Sequence, residues 1–348
     1  MVEYLSGNRI QGSSTKVTSP PQTSWKELGR TTLSSTSSDI TVSSFTAKDN
    51  LMVLIYAQDG SQMGYRVNSD TGNNYHIKRS MDGASDSTLQ STKAQVHAQG
   101  AKKEFNVSSW IYIANQEKLF ISNTVSQNTA GAGNAPSRNE IVGKWANTSD
   151  QITTFTLHNA GSTGFSSGSE VVVLGYDNDE SDSGTNFWQE LANVELSSAG
   201  DTLDTSTITA KKYLWIQAFI PEGAGHHGYI YFNGDDGGSN NNYARRGSIN
   251  GGNDITTTDD DEINWSHDTN TAKYLNMFVI NISDKEKLCI AEYMDYGSSG
   301  AGTAPNRIEW VYKWVNTSAQ ISSVKLYNNK ASSNDFPIGT TLKVWGSD

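Results

Sequence analysis

The chain has 348 residues, 18% of them charged and 35% apolar, with a net charge of −11 and a single cysteine. That length accommodates two cores of ordinary size. The acidity, with no basic stripe, excludes the usual nucleic-acid footprint; one cysteine excludes an intramolecular disulfide; and no apolar run reaches the roughly 18 residues of a transmembrane helix.

Residues 1–24 contain Pro20-Pro21, which forbids helix and favours an extended path. The reading is an extended N-terminal arm, either a loose terminus or an anchor that adds a strand to a neighbouring subunit or partner, with Tyr4, Leu5 and Ile10 as its anchoring side chains. The opening MVEYLSGNRIQGSSTKV has no basic segment followed by an apolar one, so no signal peptide is expected. An adhesin-like body without an export signal is a pattern of virus-particle parts.

From Trp25 onward the chain is spelled twice. Residues 131–152, GAGNAPSRNEIVGKWANTSDQI, match 300–321, GAGTAPNRIEWVYKWVNTSAQI, at 15 of 22 positions. Trp25, Glu27, Leu28 and Leu51 recur as Trp188, Glu190, Leu191 and Leu214, and Phe165, Gly168 and Asp177 as Phe336, Gly339 and Asp348. The repeat is therefore a whole domain, not a solenoid unit. Repeat 1 is expected over 25–177, an acidic linker over 178–186 and repeat 2 over 187–348.

Within repeat 1, Trp25–Leu33, the alternating SSTSSDITVSSF and the apolar LMVLIY read as strands. GYRVNSDTGNNYHIKRS reads as a hairpin about an Asn-rich turn. WIYIANQ, LFISNTV, EIVGKWA, ITTFTLHN and EVVVLGYD follow as strands, and repeat 2 keeps the same order. About eight short strands per repeat, without an amphipathic helix, indicate an all-β fold: two tandem antiparallel β-sandwich domains, jelly-roll-like or concanavalin-like.

Several residues are candidates for chemistry. The glycines of the repeated block allow positive φ, Arg138 and Glu140 (Arg307 and Glu309) can share a strand face, and Trp145 and Trp314 suit a sandwich edge. A shared structural constellation is the reading, a repeated ligand site the alternative. Cys289, in KLCIAEY, aligns with Phe120 or Ile121 and reads as a buried hydrophobe. Trp265, Tyr75 and Tyr243 sit in polar surroundings where rings could stack on a host surface glycan. No cofactor is expected; Asp177, Asp179 and Asp182 could offer calcium hard oxygen ligands at the domain junction, and Asp235-Asp236 and 259–262 are further acidic clusters, all of them read first as solvated loops. Asn106, Asn147, Asn264, Asn281 and Asn316 head N-x-[ST] sequons. No catalytic elbow, Walker loop or H-E-x-x-H run occurs, so no enzyme is expected.

EYLSGNRIQGSS, SFTAKDNLMVLIYA with its partner TITAKKYLWIQAFI, and GAGNAPSRNEIVGKWANTS resemble uncharacterised tandem β-sandwich proteins of marine and environmental viruses. The resemblance implies a virion structural component, exposed on the particle after assembly in the host cytoplasm. The expected role is capsid decoration or a fibre or spike anchored by the arm. A carbohydrate-binding adhesion module is the first alternative and a carbohydrate-active enzyme the second. Expected partners are other virion proteins and further copies of the chain, three of which could present six domains at a three-fold position.

Overall fold

The computed structural model describes residues 4–5, 8–9, 25–97, 102–178, 185–223, 225–236, 241–266, 269–297, 299–330 and 335–348. All regular structure among them is β-strand, and no helix is long and apolar enough to cross a membrane. In the arm, β1 (Tyr4–Leu5) pairs antiparallel with β2 (Asn8–Arg9), so the described part folds back on itself instead of running extended. Ile10 lies outside the described residues.

Unit 1 contains β3 (Lys26–Thr32), β4 (Asp39–Val42), β5 (Asn50–Gly60), β6 (Met63–Val67), β7 (Tyr75–Met81), β8 (Ser87–Ser91), β9 (Ala94–Gln95), β10 (Lys102–Ile111), β11 (Lys118–Ser126), β12 (Ser137–Trp145), β13 (Phe155–Asn159) and β14 (Glu170–Tyr176). They form an eight-stranded sheet, β3-β14-β5-β10-β11-β12-β7-β8, and a four-stranded sheet, β4-β13-β6-β9. Unit 2 repeats this order with β15 (Gln189–Glu195), β16 (Thr202–Asp204), β17 (Tyr213–Ile220), β18 (Gly228–Phe232), β19 (Tyr243–Ile249), β20 (Ile255–Asp260), β21 (Ile263–Asn264), β22 (Lys273–Ile280), β23 (Lys287–Asp295), β24 (Asn306–Trp314), β25 (Val324–Asn328) and β26 (Thr341–Ser347). The expected tandem antiparallel sandwiches are present. Among the described residues each carries twelve strands, more than the eight or so expected; two of the unread pieces in each, β8 and β9 and their counterparts β20 and β21, have little hydrophobic alternation to announce them.

The core of each unit lies between its two sheets. Alternating Phe155 and Leu157 of β13 meet Val53 and Ile55 of β5 there. Tyr65 of β6 reaches across to Trp110 and Phe120, with ring centroids 5.8 and 6.0 Å away. Its hydroxyl is bonded to Asn106 and lies 3.1 Å from the Ser122 hydroxyl, so this buried polar group is satisfied. Burial pushes its acidity well below that of an ordinary phenol.

Two expectations change. The segment 63–81 is not a hairpin: β6 and β7 belong to different sheets, and the turn between them rounds a sandwich corner. The Tyr75 hydroxyl holds that corner by accepting the Val67 N–H at 3.0 Å. The repeat boundary also shifts. Residues 138–189 belong to unit 1, while 127–137 join 190–348 in unit 2. Phe187 donates its N–H to the Trp25 carbonyl at 2.7 Å, closing unit 1 on itself.

Candidate functional site

The repeated block is a structural pin in both units. Trp145 donates its indole N–H to Asp70 at 2.6 Å, and Trp314 donates to Asp235 at 2.6 Å. Asn147 accepts the N–H groups of Ser149 and Asp150, and Asn316 those of Ser318 and Ala319, so each NTS triplet is an Asx-type turn after a long strand. Lys118 and Lys287 bond the carbonyls of Asn147 and Asn316 at 2.8 and 2.7 Å. Arg138 pairs with Glu140, and Arg307 lies 3.0 Å from Glu309, as their spacing on one strand face predicts. The sequons have similar structural duties: Asn106 and Asn281 are buried, and Asn264 receives His227 at 3.0 Å.

The three rings considered for glycan stacking are interior. Tyr75, Tyr243 and Trp265 are no more than 1% exposed, so they cannot meet a sugar face. Trp265 fills a space that Gly228 leaves: a Cβ on that glycine would approach the indole to 2.8 Å. Among the described residues the exposed rings include Phe219 and Tyr274, paired across β17 and β22, with Gln217 donating to the Tyr274 hydroxyl at 2.6 Å. Their alternation with core residues in YLWIQAFI and KYLNMFVI was the available signal.

Asp177 is bonded by protein groups. Its carboxylate takes Lys48 at 2.8 Å and the Asp49 N–H at 3.0 Å, and Asp348 repeats the clamp on Lys211 at 2.6 Å. Asp179 and Asp182 lie outside the described residues. A set of carboxylates suited to a hard cation gathers elsewhere, at Asp260, Asp261 and Glu262, with one oxygen from each mutually within 4.8 Å.

Burial first, then the charges of Asp261 and Asp260, push the Glu262 carboxyl from 4.5 to about 7. Folding therefore takes up a proton here; the resulting stability is full below about pH 4.5 and is lost as pH rises through about 7. Glu262→Gln is expected to stabilise the protein at pH 8 by about 1–2 kcal/mol, after allowance for solvent screening, and by nothing near pH 4. Urea unfolding of parent and variant at both pH values checks this; equal gains at both would contradict it.

Interior polar pairs differ between the units. His97 lies 2.8 Å from Glu104 in unit 1, where burial pushes the Glu104 carboxyl up against the opposing pull of His97. At the matching place in unit 2, Lys273 lies 2.9 Å from His226.

The largest difference between the units is on the outer face of the eight-stranded sheet. In unit 1, strand alternation sends Phe120 into the core and Leu119 and Ile121 outward, beside Val142 and Ile111. These four are 49%, 59%, 51% and 41% exposed. They line an apolar groove of about 750 Å³, together with Lys78, Lys144 and an edge-to-face pair of Trp25 and Tyr176. In unit 2 the matching Leu288, Ile290 and Val311 are buried, although they lie outside the core between the sheets.

Residues 127–137 are bonded to that face of unit 2. Lys313 reaches the carbonyls of Thr129 and Gln127 at 2.6 and 3.4 Å. Gly131 donates its N–H to Glu286 at 2.7 Å, Arg246 donates to the Pro136 carbonyl at 2.8 Å, and Asp259 donates its N–H to Ala132 at 3.0 Å. Lys313 is fully buried, and desolvation holds its ammonium below the usual lysine range.

No family model matches the chain, and no curated protein matches it. Among solved structures, domains LG4-5 of the mouse laminin alpha1 chain are 12% identical, over 96% of this chain and 93% of that one, with a TM-score of 0.20. Human GIVD cytosolic phospholipase A2 is 7% identical over 86% of this chain and 33% of its own, at 0.13. Neisserial surface protein A is 10% identical over 81% and 99%, at 0.11. At scores this low, the β-sandwich fold rests on the strand order and the cores between the sheets, not on these likenesses.

Proposed function

We propose that this chain is a non-enzymatic structural component of an assembled particle, of the decoration, fibre or spike type, and that the outer face of unit 1 is its attachment surface. The observation that carries this reading is the exposed cluster of Ile111, Leu119, Ile121 and Val142 on a regular sheet. Contiguous apolar patches rimmed by charge are interaction surfaces, and Lys78 and Lys144 border this one. The duplicated pins at Trp145 and Trp314 support it too, because they spend the shared motif on rigidity. A virion is the particle that the resemblance of the opening and of the repeated block favours.

Hydrogen exchange on the native assembly tests this. The amides of β11 and β12 are expected to exchange more slowly in the particle than in the isolated chain, and Ile121→Glu is expected to reduce incorporation. Unchanged exchange together with unchanged incorporation would remove the attachment role.

A further inference from the structure

Unit 2 supplies a template for what the face of unit 1 receives. Its own equivalent face already carries a guest, residues 127–137, bound through Lys313, Glu286 and Arg246. The sequence equivalent of that guest is the loop 296–306, which repeats GAGNAP as GAGTAP. We infer that a second copy of this chain docks the described residues of this loop, 296–297 and 299–306, on the outer face of unit 1, so that copies join head to tail. The inference deepens the attachment role proposed above and rests on it.

The two loops share their backbone. Positive φ recurs at Asn128 (58°) and Gly297 (67°), and at Gly131 (91°) and Gly300 (92°). Their surroundings differ. Ala132 and Pro136 of the docked loop are buried, whereas Ala301 and Pro305 are exposed. The second loop borders a recess of about 720 Å³ with Met294, Tyr296 and Glu222. Residues 299–305 of this loop are exposed to solvent.

The receiving residues match as well. Leu119, Ile121 and Val142 stand in the register of Leu288, Ile290 and Val311, and Lys144 and Glu117 stand where Lys313 and Glu286 do. In unit 1, Lys144 and Glu117 bond each other at 2.6 Å on the surface. In unit 2 the same two groups are 4.0 Å apart and each has turned to the guest backbone. Docking therefore directs the Lys144 ammonium to the Tyr296 carbonyl and the Glu117 carboxylate to the Gly300 N–H. Lys78, in the place of Arg246, keeps one donor for the Pro305 carbonyl.

Each chain then has one face, on unit 1, and one loop, on unit 2, left for further copies. Such a heterologous contact propagates until a rotation closes it into a ring, or it continues as a filament. The three-chain arrangement expected from the duplication is one such closure.

The test uses the full chain and two variants at exposed positions, Ile121→Glu on the face and Ala301→Arg on the loop. Sedimentation velocity and mass photometry across a concentration series are the readouts, with thermal unfolding to confirm that both variants fold. The parent is expected to form species of three or more chains. Each variant alone is expected to lose this association by more than about tenfold in affinity. Mixed, they are expected to form a complex that stops at two chains, the intact face of one meeting the intact loop of the other. A parent that stays single at every concentration, or a mixture with no two-chain species, overturns the inference. If the parent stays single while β11 and β12 are protected in the native particle, a different protein occupies the face; the self-docking inference then falls and the attachment role stands.

Discussion

Gly143→Tyr, made alone, is expected to destabilise unit 1 by at least about 3 kcal/mol, and adding Phe120→Cys is expected to restore most of the loss. The two repeats fill the same place in opposite ways. In unit 2, Cys289 of β23 pairs with Tyr312 of β24, and both are fully buried. In unit 1 the matching residues are Phe120 and Gly143, and a Cβ on Gly143 would come within 2.4 Å of the Phe120 ring. A large residue on one strand is thus balanced by a small one on its neighbour. Phe120→Cys alone opens a cavity and is expected to cost about 2–4 kcal/mol. Denaturant unfolding of the four proteins gives the coupling directly. A double variant no more stable than either single one would show that the exchange is not what preserves the core. Burial also pushes the Cys289 thiol up, so it behaves as a small hydrophobe, as its setting in KLCIAEY suggests.

Lys313→Ala and Lys144→Ala are expected to differ sharply although the sequence aligns them. Lys313 holds two carbonyls of the 127–137 segment, and its removal leaves the buried Glu286 without its nearest cation. Breaking a buried pair from one side costs about 3–5 kcal/mol, roughly 10 °C in midpoint for a domain of this size. Lys144, 43% exposed, pairs with Glu117 on the surface, and its loss is expected to cost at most about 1 kcal/mol. Adding Glu286→Gln to Lys313→Ala removes the stranded charge and is expected to recover part of the loss. Equal midpoints for the two lysine variants would mean that the docked segment contributes nothing to unit 2.

Most long strands were legible because their hydrophobic alternation is local. FTLHN and VKLYN alternate between buried and half-buried positions, as their residues suggest. The corner at 63–81 was not legible. Two strands and an Asn-rich turn look the same whether the strands pair or part, and the choice depends on β13 and β12, which are distant in sequence. Trp265 was misread because EINWSHD is polar along the chain, while the space for the indole comes from Gly228, far upstream. The outer face of unit 1 was hidden for a related reason. KLFIS and KLCIA are equally apolar, and nothing within either run says which has a guest on its outward side.

The membership of 127–137 in unit 2 has a consequence for biosynthesis and for the history of the duplication. A ribosome releases this segment before any strand of its resting place exists, so unit 2 can complete its surface only by recruiting a stretch of chain that is already waiting. The two halves are copies in sequence but not interchangeable modules. A fragment cut at the repeat boundary, 190–348, would carry Lys313, Glu286 and Arg246 with the backbone groups they bind left on the other piece. Any rearrangement that separated the repeats would have to supply that segment again in trans.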